Sequence, residues 1–179
     1  MKHMKAELKS GLKSDLRQPM KILYICTHNR CRSILSEAVT QHFGQGLLEA
    51  RSAGSQPVGA VHPLSLLYLA EAGIETHHLR SQSWDEFADF APDVVITVCD
   101  SAAAETCPVW FGHTTVLHWG LADPSKLTGT DEELADAFRH TIGLISDRVA
   151  SLLAVARQEP AQWPAALSML RTPLSGTPA

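Results

Sequence analysis

Short apolar runs alternate along this chain with longer segments in which apolar residues recur at helical spacing. Four runs have the length and composition of strands, at residues 20–25, 49–53, 93–98 and 114–119. Segments with a helical pattern follow them, at residues 33–45, 63–72, 83–90 and 131–155. Strands that alternate with helices in this way form parallel sheets. The pattern therefore predicts an α/β fold with a parallel sheet and helices on both of its faces.

The two ends of the chain differ from this alternating pattern. Residues 1–19 contain Gly11 and Pro19, which interrupt a helical spacing of leucines, and we expect a flexible N-terminal extension there. Residues 158–179 are rich in proline, and we expect a loose C-terminal tail. Residues 20–157 between them are predicted to form one domain.

The composition is that of an ordinary soluble globular protein. Of the 179 residues, 45% are hydrophobic and 19% are charged, and the formal net charge is −4. This mild negative charge argues against nucleic acid as a partner, since phosphate backbones select basic surfaces. No apolar stretch is long enough to cross a bilayer, and the N-terminus lacks the apolar block of a signal peptide. We therefore expect a cytoplasmic protein that binds neither nucleic acid nor membrane, with its four cysteines kept as thiols.

Three chemically capable side chains come after predicted strands. Cys26 directly follows the first strand, Cys99 follows the third, and Asp123 lies a few residues beyond the fourth. In parallel α/β sheets, ligands bind beyond the carboxyl ends of the strands. The sequence therefore predicts a reactive site at this edge of the sheet, with two thiols and a carboxylate.

The segment CTHNRCRS, which follows the first strand, joins a thiol to an expected oxyanion cradle. Backbone N–H groups of residues 27–31 can converge on one anion, and the helix that starts near Ser33 adds its positive N-terminal end. The guanidinium of Arg32 matches two oxygens of a tetrahedral oxyanion, and Asn29 tolerates the left-handed backbone that a tight turn needs. The same positive field is expected to lower the pKa of Cys26 below its free value of about 8.5, and Ser33 can donate its hydroxyl to the thiolate.

Three motifs of the chain resemble the low-molecular-weight protein tyrosine phosphatase superfamily. They are CTHNRCRS, the Ser-Ala-Gly triplet at residues 52–54 and the pair Asp123-Pro124. Within that superfamily, the segments DVVITVCDSAAAETCPVW and HWGLADPSK are similar to the cysteine-triad arsenate reductases, which are coupled to thioredoxin. The resemblance covers residues 21–155 and implies a four-stranded parallel sheet flanked by helices on both faces.

The resemblance implies a relay of three thiols. Cys26 would attack arsenate while Asp123 protonates the leaving oxygen. Cys99 would then attack Cys26 and release arsenite, and Cys107 would attack Cys99 to leave a Cys99–Cys107 disulfide. Thioredoxin would reduce that disulfide, and no bound cofactor is implied. Glutaredoxin with glutathione, or mycothiol, serves other relatives, so the reductant stays open; phosphate and sulfate are the expected competing oxyanions.

The resemblance also implies which residues surround the substrate. They are expected to be Thr27, His28, Asn29, Arg30, Cys31, Arg32 and Ser33. In phosphatase relatives the cysteine at position 31 can protect the nucleophile by a reversible disulfide; the alternative is a thiol in the cradle wall without a catalytic role. Some reductases bind potassium through four residues, whose matches here are Asn29, Glu37, Ser52 and Gln82. Because the fourth is acidic in those relatives, Gln82 argues against a metal site, and we expect none.

Two other functions remain possible from the residues alone. A phosphatase for phosphotyrosine or a small phosphoester needs only Cys26, Arg32 and Asp123, because water can hydrolyse a phosphocysteine. A catalytically idle sensor of oxyanions or arsenic is the third hypothesis. The two further thiols, Cys99 and Cys107, favour the reductase over both, since a second thiol can reduce thiol-bound arsenic.

The spacing of Cys99 and Cys107 adds a conformational prediction. The alanine run at residues 102–104 favours a helix, and eight residues at helical rise separate the two cysteines by about 12 Å. A disulfide needs Cα atoms within roughly 7 Å. We therefore expect this segment to unwind during the reaction cycle.

Overall fold

The computed structural model of the chain describes residues 17–171, which fold around a parallel sheet of four strands. The strands are β1 (Met20–Cys26), β2 (Leu48–Gly54), β3 (Val94–Thr97) and β4 (Thr115–His118). Their order across the sheet is β2-β1-β3-β4, and every neighbouring pair is parallel. The predicted fold is confirmed, with strand boundaries that differ by one residue at most ends.

Five α-helices lie within the described residues and pack on the sheet and on one another. They are α1 (Arg32–Phe43), α2 (Pro63–Glu71), α3 (Asp100–Ala104), α4 (Asp131–Ala156) and α5 (Trp163–Met169). Helix α1 packs on β1, β2 and α4, whereas α3 contacts β1 and β3. Short 3-10 helices occur at Trp84–Phe87, Val109–Phe111, Pro124–Lys126 and Pro160–Gln162. None of the helices between residues 17 and 171 has the length and apolarity needed to cross a membrane.

The strands form where the sequence is apolar on both sides of the backbone. All residues of β1 except Lys21 are buried, and so are all four residues of β3, as expected for parallel strands that are covered on both faces. The fully buried Tyr24 satisfies its hydroxyl through a 2.7 Å hydrogen bond with Thr40. A capping box begins α4, because the Thr130 hydroxyl and the Glu133 carboxylate each accept a backbone N–H there.

The prediction of a loose tail at residues 158–179 is wrong for the first part of that segment, because α5 packs against α4 and β4. Trp163 and Leu167 are buried on the inner face of this helix. Pro160 and Pro164 stand in the first turns of helices, where the N–H that proline lacks has no intrahelical partner in any case. Proline in this segment therefore starts helices instead of preventing them. The predictions for residues 1–16 and 172–179 lie outside the described part of the chain.

The register of the sheet brings the predicted reactive residues to one edge. Cys26, the last residue of β1, pairs with Gly54, the last residue of β2. Ile25 pairs with Thr97 at the end of β3, and Thr97 pairs with His118 at the end of β4. The loops that follow these strands therefore meet beyond the carboxyl ends of the sheet.

Candidate active site

The loop between β1 and α1 has the shape expected of an oxyanion cradle. Asn29 has a φ of 46°, in the left-handed region that the sequence predicted for it. Its side-chain amide donates to the hydroxyls of Ser33 (2.9 Å) and Ser52 (3.0 Å), while its oxygen accepts the N–H of Gln82 (2.8 Å). This buried residue therefore fixes the loop to the start of α1 and to β2. Ser33 is an acceptor in this contact, and the predicted donation to the thiolate stays a prediction.

Gly54, at the end of β2, lets the cradle pass close to the sheet. A Cβ at this position would lie 2.5 Å from the carbonyl oxygen of Thr27 and 3.0 Å from that of Cys26. The N–H of Gln56 donates to the same Thr27 oxygen at 2.9 Å. The Ser-Ala-Gly triplet thus lies against the cradle loop, and only glycine fits at its last position.

Arg32 and Asp123 form an ion pair beside the cradle. Arg32 Nη2 lies 3.3 Å from Asp123 Oδ2, and Arg32 Nη1 donates to the carbonyl of Leu121 at 3.1 Å. The other carboxylate oxygen accepts from the N–H (3.0 Å) and the hydroxyl (2.6 Å) of Ser125. The buried Nε of Arg32 has no hydrogen-bond acceptor among the described residues. The guanidinium is therefore fixed in place and still has a donor to offer to a ligand.

The thiols of Cys26 and Cys99 are brought together at this edge and share a hydrogen bond. Both side chains are buried, with 4% and 3% of their surface exposed. The pKa of Cys26 is raised, first by this hydrogen bond and then by burial, and the charge of Arg32 opposes the rise only in part. The prediction that the cradle lowers the pKa of Cys26 is therefore wrong for this arrangement, because the neighbouring sulfur outweighs the guanidinium.

The pKa of Cys99 shifts in the opposite direction to that of Cys26. Its pKa is lowered to about 5, chiefly because it accepts the hydrogen bond from Cys26, and the N–H groups of Ala102 and Thr27 add to this effect against the opposing effect of burial. The N–H of Ala102 lies 3.4 Å from the sulfur, which is thereby the N-cap of α3. Near neutral pH, one proton is held between two sulfurs.

Cys31 lies in the wall of the cradle. It is buried, and burial raises its pKa to about 11. A thiol in this environment is a weak nucleophile near neutral pH. The geometry therefore agrees with a wall residue and does not test a protective disulfide.

The remaining predicted residues are exposed or only partly buried. Cys107 is exposed and lies in the segment after α3, and all four cysteines are free thiols. The side chains of His28 and Arg30 are exposed, whereas their carbonyl groups accept from Val58 (3.2 Å) and His62 (2.9 Å) in neighbouring loops. These two residues thus hold the cradle through their backbone.

The four residues that match a potassium site in some relatives lie together, but their polar groups are already hydrogen-bonded to the protein. Asn29 Oδ1 already accepts a backbone N–H, and Gln82 contributes an amide that donates to the carbonyl of Ser52 at 3.1 Å. Glu37 accepts from the Ser52 hydroxyl, and the charges of two arginines act on its pKa. Within residues 17–171, no three His, Cys, Asp or Glu side chains lie together in a group that could hold a metal ion. The expected absence of a potassium site stays a prediction.

Two contacts near Cys99 were not predicted from the sequence. Glu105, at the end of α3, accepts from the hydroxyl of the cradle residue Thr27 at 3.0 Å. Asp100, the residue after Cys99, lies 2.9 Å from Nε2 of His118 at the end of β4. The sequence could have pointed to Asp100, because this residue is adjacent to a predicted nucleophile. It could not have pointed to Glu105, whose contact depends on the position of α3 over the cradle.

In this chain, the first strand of a parallel α/β sheet ends in a cysteine, and an arginine follows it after five residues at the start of a helix. This arrangement defines a class of cysteine-dependent, oxyanion-binding proteins. The chain belongs to the low molecular weight phosphotyrosine protein phosphatase family, whose model matches residues 21–162.

Relatives of this chain within the family are named arsenate reductases. The arsenate reductase of Halalkalibacterium halodurans is 33% identical over 128 residues, which are 72% of this chain and 91% of that protein. The solved structure of an arsenate reductase in the phosphate binding state has a TM-score of 0.62 and 29% identity, over 75% of this chain and 97% of that one. The thioredoxin-dependent arsenate reductase of Corynebacterium glutamicum has a TM-score of 0.60 and 26% identity, over 81% of this chain and 66% of that one. The resemblance inferred from the motifs is confirmed.

Proposed function

We propose that this protein reduces arsenate to arsenite through a relay of three cysteines in the order Cys26, Cys99, Cys107. The observation that carries the proposal is the pair of buried, hydrogen-bonded thiols, Cys26 and Cys99, beside an ion pair of Arg32 with Asp123. A phosphatase needs one thiol at this place. A second thiol within hydrogen-bond reach of the first is what reduction of a thiol-bound oxyanion requires.

In the first step, arsenate binds in the cradle and the Nε–H of Arg32 supplies a donor to it. The proton between the two sulfurs moves to Cys99, and the thiolate of Cys26 attacks arsenic. Once the substrate anion has displaced it from Arg32, the Asp123 carboxylate takes up a proton from solvent and passes it to a hydroxyl oxygen of arsenate, which leaves as water, so a sulfur–arsenic bond replaces an arsenic–oxygen bond. Binding of the substrate anion separates Asp123 from Arg32, because both oxyanion and carboxylate use the same guanidinium.

In the second step, the Cys99 thiol passes its proton to an oxygen of the bound arsenic group, and the resulting thiolate attacks the sulfur of Cys26. A sulfur–sulfur bond forms, the sulfur–arsenic bond breaks, and its electron pair stays on arsenic, which passes from As(V) to As(III). Cys107 then attacks Cys99 by thiol–disulfide exchange, which returns Cys26 as a thiolate. Thioredoxin reduces the Cys99–Cys107 disulfide; the name of the Corynebacterium relative supports this reductant, and glutaredoxin with glutathione or mycothiol is the alternative.

The proposal is tested by arsenate-dependent NADPH oxidation with thioredoxin and thioredoxin reductase. We expect steady turnover by the wild type and none by the Cys99→Ser and Cys107→Ser variants. A single turnover separates the two variants: Cys107→Ser still releases one arsenite per enzyme and retains a Cys26–Cys99 disulfide, whereas Cys99→Ser releases none. Replacement of thioredoxin by glutaredoxin with glutathione identifies the reductant.

A phosphatase is the second candidate, and the family to which the chain belongs favours it. Hydrolysis of p-nitrophenyl phosphate therefore accompanies the arsenate assay. Fast hydrolysis without arsenate turnover would contradict the relay and establish the phosphatase. Slow hydrolysis that survives Cys99→Ser would show that the variant is folded and that its loss of arsenate reduction is chemical.

A further inference from the structure

Arg148 is a charged residue on the inner side of helix α4. It lies three residues after Ile145 and four residues before Leu152, both of which are buried, so its side chain starts from the face of the helix that packs on the protein interior. Burial lowers the pKa of its guanidinium, and no charged neighbour among the described residues offsets this effect. A charge that loses water without gaining a carboxylate partner is costly, so the contacts that it does make have to compensate.

The guanidinium of Arg148 contacts one residue of the loop that follows β4. Its Nη1 donates to the carbonyl oxygen of Trp119 at 2.6 Å, and its Cζ lies 5.4 Å from the centre of the Trp119 ring. The same ring lies 5.3 Å from that of Tyr24 in β1. Trp119 is buried, and its carbonyl accepts no backbone N–H within the described residues. Arg148 is therefore the partner that this carbonyl requires.

Trp119 begins a bulge in the pairing of β3 with the chain beyond β4. The N–H groups of Trp119 and Leu121 donate, at 2.8 and 3.0 Å, to the carbonyls of two adjacent residues, 97 and 98. Gly120 is the extra residue between the two donors, and its φ of 56° lies in the left-handed region that glycine tolerates. The Trp119 carbonyl thus leaves the ladder where the chain turns, and Arg148 holds it there.

The bulge brings two groups to the candidate active site. The carbonyl of Leu121 accepts from Arg32 Nη1 at 3.1 Å, and Asp123, two residues further on, lies 3.3 Å from Arg32 Nη2. A rotation of the peptide group that follows Trp119 would move both of them, and bulges beside active sites re-aim side chains in this way. Arg148 is thereby connected to the carboxylate of Asp123 without contacting it.

We propose that Arg148 is a positioning residue for the reaction, which fixes the bulge that carries Asp123 by holding the carbonyl of Trp119. The proposal rests on the role of Asp123 as proton donor in the proposed function. Arg148 gives no proton to the substrate and takes part in no bond that forms or breaks. It acts on the geometry of proton transfer, where a displacement of about 1 Å lowers the rate by up to about a hundredfold.

The test removes the hydrogen bond of Arg148 and keeps most of its bulk, in Arg148→Met. Arg139→Met is the matched control, because Arg139 lies on the same helix, donates to Glu71 and has its Cζ 5.7 Å from the ring of Tyr68. The first readout is the rate of arsenite release in a single turnover at saturating arsenate. We expect Arg148→Met to lower this rate about five- to twentyfold, with a smaller effect on the dissociation constant of phosphate. The control is expected to change neither, and Arg148→Lys, which keeps a charged donor, to recover part of the rate.

A double-mutant cycle shows whether the effect acts through Asp123. In the Asp123→Asn background, which has no carboxyl proton to give, Arg148→Met is expected to lower the rate less than about twofold. An undiminished effect in that background would overturn the proposal. Methylguanidinium is expected to recover part of the rate of Arg148→Ala, because the deletion opens space beside a small cavity of about 80 Å³ lined in part by Trp119, Leu152 and Leu170. A purely structural role would not respond to the added cation.

Hydrogen exchange in the reduced, resting protein tests the contact without any turnover. In Arg148→Met we expect exchange of the Leu121 amide to rise about three- to tenfold more than that of the Ile96 amide, which lies in the buried strand β3 and reports global unfolding. An equal rise for both amides, or none, would overturn the proposal. If the wild type releases no arsenite, the proposed function fails, and exchange at Leu121 still decides whether Arg148 holds the bulge.

Discussion

At the scale of single residues, the hydrogen bond between Cys26 and Cys99 couples the ionisation of the two thiols. One sulfur is a good acceptor only while the other keeps its proton, so the first ionisation of the pair is easy and the second is difficult. The relay that we propose uses the two thiolates one after the other. The proton moves from Cys26 to Cys99 for the first attack, and it has to leave Cys99 for an arsenic-bound oxygen before the second.

This coupling predicts the effect of removing Cys26. In the Cys26→Ala variant we expect the pKa of Cys99 to rise well above about 5, because its largest stabilising hydrogen bond is lost while burial still opposes the charge. Thiolate absorbance at 240 nm, titrated from pH 4 to pH 9, measures this change. Cys31→Ala is the matched control, since a thiol with a pKa of about 11 contributes nothing to absorbance in this range. A low-pH titration that persists in Cys26→Ala would show that the lowered pKa of Cys99 has another cause.

At the scale of helices and strands, the apolar pattern predicted most of the fold because burial on both faces leaves little ambiguity in β1 and β3. Helix α4 was predicted for the same kind of local reason, since apolar residues recur at helical spacing along it. Helix α5 was missed because its prolines suggest a loop, while its stability comes from packing of Trp163 and Leu167, which only the tertiary structure reveals.

The candidate site was predictable to a similar extent. Cys26, Cys99 and Asp123 were placed correctly because parallel strands end at the same edge of the sheet. The Glu105–Thr27 and Asp100–His118 contacts were not predictable, since they depend on how α3 lies on the cradle. The pKa of Cys26 was predicted in the wrong direction because helix and arginine are local features of the sequence, whereas the neighbouring sulfur of Cys99 is not.

Because β2 approaches the cradle closely at Gly54, a single methyl group added at this residue is expected to disturb the cradle. Gly54→Ala places its Cβ 2.5 Å from a backbone oxygen, so the cradle itself has to move. We expect a loss of stability of about 2–4 kcal/mol and a large loss of oxyanion binding. Gly143→Ala, inside α4 and with nothing within 4 Å of the added Cβ, is the control and is expected to stabilise the protein by about 0.5–1 kcal/mol. Urea unfolding measures the change in stability, and competition by phosphate measures the change in oxyanion binding. Equal behaviour of Gly54→Ala and Gly143→Ala would contradict the close contact.

At the scale of the whole molecule, the buried carboxyl group of Glu37 links stability to pH. Burial raises its pKa from 4.5 to about 7, against the smaller effect of the hydrogen bond from Ser52. The folded protein therefore keeps a proton that the unfolded chain releases between these two values. Unfolding is favoured as pH rises through this window, so Glu37 lowers the stability of the fold between about pH 4.5 and pH 7 and contributes no further change above it.

Glu37→Gln removes this dependence while its amide oxygen can still accept from Ser52. We expect the variant to gain about 1–3 kcal/mol in unfolding free energy relative to the wild type when the pH is raised from 5 to 8. Urea unfolding of both proteins at the two pH values, under reducing conditions, measures the difference. Glu132→Gln, at an exposed position in the first turn of α4, is the control and is expected to follow the wild type at both pH values. Parallel pH profiles of Glu37→Gln and the wild type would mean that Glu37 is ionised in the folded protein throughout this range, in which case the arginines near it outweigh its burial.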